Sequence, residues 1–233
     1  MTRVAIMQPT YLPWCGYFGL MQYVDIFIFL DSVQFAKRSW QQRNQIKTPQ
    51  GAQWLTVPVA SKGKRGQLIS ETQLDYSTNF VITHRKTIES NYAKAPWFKD
   101  FEPLLWSRLE GQQLLGDLNI GIIEQCRNLL GINTSVLRSS LMQGGGAKAD
   151  LLASLCKEVG ATEYISVPGS KNYLDESSAF EDIGVPVRYF NYRHPEYPQL
   201  FGNFLSHMSV IDMLFNCGEQ SSDLIRSGIK VEP

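Results

Sequence analysis

The sequence predicts an α/β protein with a mostly parallel sheet, an antiparallel hairpin insertion and a helical middle. Three features predict it. Short apolar runs bounded by turn residues, such as Val4–Met7 (VAIM) and Asp25–Leu30 (DIFIFL), have the length of buried strands. Segments of helix length separate most of these runs, and crossovers of that kind favour parallel pairing. A Thr-Pro-Gln-Gly turn at residues 48–51 breaks the alternation with a local hairpin.

The elements follow in order. Val4–Met7 is a strand that Gln8-Pro9 ends, because proline cannot donate to a ladder. Tyr17–Val24 is a helix, and Asp25–Leu30 is a second strand closed by Asp31. Trp40–Ile46 and Gln53–Val59 are the hairpin arms. Asn79–Tyr92 is a helix stopped before Pro96; Phe98–Leu109 is another, and Leu118–Leu130 a third that Gly131 closes. Ser135–Leu141 reads as a strand, followed by a glycine-rich stretch and a helix over Ala147–Val159. Glu163–Val167 and Pro186–Tyr189 are the remaining strands, and Leu205–Phe215 is the last helix. No repeat, low-complexity tract or linker divides the chain, so residues 1–233 read as one domain.

Composition narrows the function classes. Hydrophobic residues make up 43% of the 233, enough for a packed core. Lys+Arg and Asp+Glu are equal at 22 each, so no global charge draws the chain to nucleic acid. The apolar runs are too short to span a bilayer, and the N-terminus has no signal-peptide run; a cytoplasmic protein is expected. The four cysteines form no CxxC pair and the three histidines lie far apart, so buried thiols and no protein-held metal are expected.

In parallel sheets ligands lie beyond the carboxyl ends of strands. That rule selects Gln8–Tyr17, Asp31–Arg43 and Gln143–Lys148. In QPTYLPWCGYF (8–18) the prolines fix φ and Gly16 permits close approach. Tyr11, Trp14 and Tyr17 either offer stacking faces and hydroxyls to a ligand or cap the sheet. Read as extended chain, KRSWQQRN places Lys37, Ser39, Gln41 and Arg43 on one face, and Arg38, Trp40, Gln42 and Asn44 on the other. Its cations suit a phosphate or diphosphate; the plainer alternative is a solvated edge guarded by charge. Asp31 either holds a hydroxyl or takes a proton from an amine, or it caps a turn. The GGGAKAD stretch (144–150) lacks the spacing of a phosphate loop, and flexible linking is favoured. His84, beside Arg85 and Lys86, reads as solvated, and His207 lies near a helix start. His194, in a loop stiffened by Pro195 and Pro198, is the general-base candidate, with Tyr197 and Gln199 as neighbours. Asp212, a charge among apolar residues, reads as a buried hydrogen-bond partner that is structural or orients His194.

The segments VAIMQPTYLPWCGYF, DSVQFAKRSWQQRNQI, WLTVPV and HPEYPQLFGNFLSHMSVIDMLFNCG together resemble the WbqC-like protein family, from residue 4 to residue 218. That family is typically encoded among bacterial surface-polysaccharide (O-antigen) genes, and transfer of glycine or another amino acid to a sugar has been proposed for it. The resemblance implies a transferase that joins an acyl or aminoacyl group to a nucleotide-linked amino sugar. In that expectation His194 or Asp31 takes the amine's proton, while Lys37, Arg38 and Arg43 hold the diphosphate. The aromatic turn around Tyr11 and Trp14 packs against base or sugar, and Gln8, Gly16, Tyr17, Asn44, Tyr197, Gln199 and Asp212 complete the binding set. ATP with magnesium is the cofactor this expectation accommodates; a thioester or aminoacyl-tRNA would replace it as activated donor.

The strand, P-x-x-G turn and helix, together with SKNYL at 170–174, also resemble the nucleotidylyltransferase and pantothenate-synthetase superfamily. That likeness implies a Rossmann-like sheet. The superfamily's H-x-G-H is absent, with Gly16 at the glycine and Tyr17 at the second histidine, which counts against nucleotidyl transfer from ATP or CTP. A third reading is a non-catalytic protein that binds a glycan precursor.

Overall fold

The computed structural model describes residues 1–230. In chain order the elements are β1 (Arg3–Met7), α1 (Cys15–Tyr23), β2 (Ile26–Phe29), β3 (Arg43–Thr48), β4 (Gly51–Thr56), α2 (Phe80–Tyr92), α3 (Phe98–Leu109), α4 (Leu115–Leu129) and β5 (Ser135–Arg138). There follow α5 (Ala149–Glu158), β6 (Glu163–Ser166), α6 (Lys171–Asp175), α7 (Ala179–Asp182), β7 (Val187–Tyr189), β8 (Asn191–Tyr192), α8 (Val210–Cys217), α9 (Ser221–Ser227) and β9 (Ile229–Lys230).

Five strands form one parallel sheet in the order β5-β2-β1-β6-β7. The chain runs outward from β1 through β2 to β5, crosses back beyond β1, and continues through β6 to β7. Its direction of travel therefore reverses between β1 and β6. Side chains alternate across the pleat and build a core on each face. Val4, Ile6 and Ile28 pack with Leu152, Leu155, Tyr164 and Phe180 around α5 and α7. Ala5, Phe27 and Phe29 face the larger core, with residues of α1, α2, α3, α4 and α8. The hairpin β3–β4 stands apart as a two-stranded antiparallel sheet, its turn closed by the pairing of Thr48 with Gly51. Gly51 has φ +106°, a conformation that favours glycine.

Several elements differ from the sequence-based expectation, each for a local reason. The first helix begins at Cys15, inside the aromatic motif. The first hairpin arm begins only at Arg43. Residues before it form a compact turn, because the Gln41 side chain accepts from the Ala36 N–H (2.8 Å) and Gln42 from the Arg38 N–H (2.9 Å). The predicted one-face alignment of Lys37, Ser39, Gln41 and Arg43 is therefore absent. The strand expected over Ser135–Leu141 stops at Arg138 and gives way to a 3₁₀ turn. Two short helices, α6 and α7, supply the crossover between β6 and β7 that parallel pairing requires. The helix expected from Leu205 starts at Val210, where the Ser209 hydroxyl caps it by accepting from the Ile211 N–H (3.4 Å). The pair β8–β9 and helix α9 were not foreseen. Among the described residues no helix is long and apolar enough to cross a membrane.

Candidate functional site

The loop after β1 is bound on every side. The Tyr11 N–H donates to the Trp40 carbonyl (3.0 Å), and Asn44 Nδ2 donates to the Leu12 carbonyl (2.7 Å). Asn119, fully buried on α4, donates from Nδ2 to the carbonyls of Pro9 (3.1 Å) and Gln41 (2.7 Å). Gln41 Nε2 donates to Gln8 Oε1 (2.8 Å), and the Val210 N–H reaches the Pro13 carbonyl (2.8 Å). Five distant residues, Trp40, Gln41, Asn44, Asn119 and Val210, thus hold a loop that carries Leu12 at φ +45°. Gly16 is dictated by packing: a Cβ there would lie 2.2 Å from the Trp14 indole, so only glycine lets that ring lie over the helix start.

Beside this loop lies a cavity of about 570 Å³, at the carboxyl ends of β1 and β6 where the sheet's connectivity reverses. Apolar Ile6, Leu30 and Leu152 form part of it, and Gln8, Thr10, Gln41, Ser166, Ser170 and Tyr173 give it polar groups. Two smaller cavities adjoin the motif. One of about 250 Å³ is lined by Thr10, Trp14, Tyr17, Trp40, Asn44 and His207; another of about 260 Å³ by Trp14, Gly16, Tyr17 and Tyr192 among others. Met7 lines all three, which marks the end of β1 as their common centre. An apolar-walled cleft with a few convergent polar groups is the usual form of a small-molecule site.

The structure brings Gln8, Trp14, Gly16, Tyr17 and Asn44 to these cavities. It moves others elsewhere. Tyr11 offers no stacking face: it is fully buried, and its hydroxyl shares a 2.8 Å hydrogen bond with His84 Nδ1. His84 is correspondingly buried rather than solvated, and burial lowers its pKa to about 4. Lys37 and Arg38 are exposed on the turn, and Arg43 lies with its guanidinium 4.3 Å over the Trp54 ring. Among the described residues none of these three cations has a carboxylate partner within 4 Å.

Asp31 cannot serve as a free proton acceptor. It is fully buried and accepts from Arg138 Nε, the Ser140 N–H and the Ser140 hydroxyl, each at 2.8 Å, and from the Ser139 hydroxyl at 3.1 Å. Arg138 also donates to Asp117 (2.7 Å). The carboxylate thus fastens the end of β2 to the turn after β5.

Asp212 is buried too, and it accepts from the hydroxyls of Tyr92 (2.7 Å) and Tyr197 (3.0 Å) and from Gln199 Nε2 (2.8 Å), not from His194. Burial raises its pKa against these bonds. Lys47, buried nearby, donates from Nζ to the Asn203 carbonyl (2.6 Å), and burial lowers its pKa. Tyr197, Gln199 and Asp212 therefore form a buried hydrogen-bond cluster with Tyr92 and line none of the three cavities.

His194 is half-buried and lines none of the three cavities. Its Nδ1 donates to the Pro195 carbonyl (2.8 Å), which leaves the lone pair on Nε2, 3.2 Å from Cys15 Sγ. Burial lowers its pKa, with the nearby His207 acting in the same direction. The ring packs against Trp14 (6.0 Å between centroids) and His207 (5.0 Å). His207 was passed over in the sequence, yet it is exposed, lines the 250 Å³ cavity and carries φ +62°. Asn119 was missed as well, since nothing near it in sequence marks its distant partners. The GGGAKAD stretch is a packed turn: the Gly145 N–H bonds Ser154, the Gln143 N–H bonds Glu158, and a Cβ on Gly144 would meet Leu155 at 2.5 Å. All four cysteines are buried.

An uncharacterized protein of Mycobacterium tuberculosis is 40% identical over 229 residues, covering 97% of this chain and 98% of that protein. No solved structure matches. The sequence profile of the WbqC-like protein family matches residues 8–224, which include the whole aromatic loop, the 36–42 turn, α4 and the His194 loop. The chain belongs to the WbqC-like protein family.

Proposed function

We propose that the protein is a transferase of surface-glycan biosynthesis that places an acyl or aminoacyl group, glycyl among them, on a nucleotide-linked amino sugar. The observation that carries this reading is the cleft of about 570 Å³ at the reversal point between β1 and β6. Counted by chain order, the parallel strands run 3-2-1-4-5, an order that supports the Rossmann-like reading. Sheets of this type bind nucleotides in that crevice. The surface-polysaccharide context that the family resemblance implies supports the glycan part of this reading.

The chemistry asks three things of the site. The acceptor amine attacks the donor's carbonyl carbon, an amide bond forms, the donor's leaving group departs, and a base receives the amine's proton. Exposed Lys37 and Arg38 suit the sugar's diphosphate. Exposed Gln8, held by Gln41 Nε2 at 2.8 Å, offers its amide to a hydroxyl at the cleft wall. His207, in the adjoining cavity, is the histidine placed to accept a proton, and His194 positions it together with Trp14. Where ATP activates the donor, a magnesium ion would travel on its phosphates; among the described residues no three His, Cys, Asp or Glu side chains gather as a ligand set.

The test is direct. Purified protein is incubated with a panel of nucleotide-linked amino sugars, glycine or another amino acid, and ATP with magnesium, or with an acyl thioester in place of the last two. Mass spectrometry reads a sugar nucleotide heavier by one acyl or aminoacyl residue. Failure of every nucleotide sugar to bind or react, alongside a free glycan that binds well, would replace this reading with the non-catalytic one.

A further inference from the structure

We propose that Trp40, braced by Trp54 and Arg43, is the platform on which the nucleobase of the bound nucleotide stacks. The inference rests on the nucleotide-linked reading above and names the part of the site that recognises the base. Trp40 and Trp54 are 51% and 40% exposed, whereas Trp14, Trp97 and Trp106 are partly or wholly buried. A single exposed apolar residue means little. Two indoles packed at 5.3 Å and 39° beside a cavity form a built surface.

Three further observations carry the case. Trp40 lines both the cleft of about 570 Å³ and the adjoining cavity of about 250 Å³, so it stands between them. Its backbone is fixed from two sides: its carbonyl accepts from the Tyr11 N–H at 3.0 Å, and the next carbonyl, Gln41, accepts from Asn119 at 2.7 Å. Behind it, the Arg43 guanidinium lies 4.3 Å over Trp54 and holds that ring in place. The platform is thus ordered before a ligand arrives, which reduces the entropy lost on binding. Lys37 and Arg38, exposed on the same turn, place positive charge beside it for the phosphates that follow a base. A π-face with neighbouring cations matches a nucleobase and its diphosphate better than it matches a free sugar. Stacking on an aromatic ring tolerates any base, so the platform supplies affinity while other groups select the base.

The test uses the full chain and calorimetric titration with UDP, and with ADP, CDP and GDP alongside, then with pyrophosphate and free glucosamine. Wild type, Trp40→Ala, Trp40→Phe and Trp54→Ala are compared, with melting curves as a check on folding. Trp40→Ala should weaken the best nucleoside diphosphate by roughly 5- to 100-fold. Trp40→Phe should restore most of that loss, Trp54→Ala should give a smaller one, and pyrophosphate should bind wild type and Trp40→Ala alike. Unchanged diphosphate affinity in Trp40→Ala overturns the platform and leaves the nucleotide reading standing. Equal loss of pyrophosphate, or a loss confined to glucosamine, also overturns it. A wild type that binds no nucleoside diphosphate removes the nucleotide reading and the platform together.

Discussion

Asp31 shows how far a side chain's role depends on what folds against it. At a strand's carboxyl end a carboxylate has the right address for proton transfer, but four bonds from Arg138, Ser139 and Ser140 occupy both its oxygens. Asp31→Ala should therefore cost about 3 kcal/mol of stability, since it leaves the partly buried Arg138 guanidinium with Asp117 as its one carboxylate and takes an acceptor from two hydroxyls. Urea denaturation measures this; a fully stable but inactive variant would return Asp31 to the chemistry. His84 gives a pH signature. Its pKa is about 4 in the fold against about 6.5 in an unfolded chain. Between those values only the unfolded chain takes up the proton, so the contribution is lost as pH falls from about 6.5 through about 4, by roughly 3 kcal/mol in all. His84→Gln should be less stable at neutral pH and lose that part of the slope. Neither the burial of His84 nor that of Tyr11 was legible in the sequence, because the pair is 73 residues apart and His84 sits beside Arg85 and Lys86.

Local chemistry made the main strands and helices readable and hid several shorter elements. The β1 run, the TPQG turn and the Gly131 stop carry their signals within a few residues, and all appear where expected. The 36–42 turn defeated the period-two reading because Gln41 and Gln42 fold back on their own backbone, an arrangement that alternation does not encode. To the direct bonds between this turn and the β1 loop, α4 adds the two carbonyl contacts of Asn119. Asn119→Ala should remove about 1–3 kcal/mol and free both loops together. Hydrogen exchange at the Tyr11 amide, bonded to the Trp40 carbonyl, should then quicken more than exchange within β1 or β2. Uniform exchange across these segments would show that the loops hold themselves.

At the scale of the whole molecule, the parallel sheet was legible from its apolar runs, but the strand order was not. Order depends on which crossover packs on which face, and that is decided by the two cores on either side of β1. The reversal between β1 and β6 creates the cleft, and the ends of those strands supply Gln8 and Ser166 to it. Gln8, Trp14, Gly16 and Tyr17 were legible as residues near a strand-end cavity because they follow the first strand; Ser166, Ser170 and Tyr173 were not, because the significance of their loop depends on β6 lying next to β1.

The central claim, that this cleft holds the nucleotide-linked sugar, is tested most directly by filling it. Gly169 lines the cleft, and a Cβ built there meets nothing within 4 Å, so a bulky side chain can be added at the cleft wall without a clash at that atom. Titration of the sugar nucleotide that wild type binds best should show binding lost by at least about 100-fold in Gly169→Phe, while the melting temperature stays within about 2 °C of wild type. An unchanged affinity in a well-folded Gly169→Phe protein would place the ligand elsewhere and contradict the account.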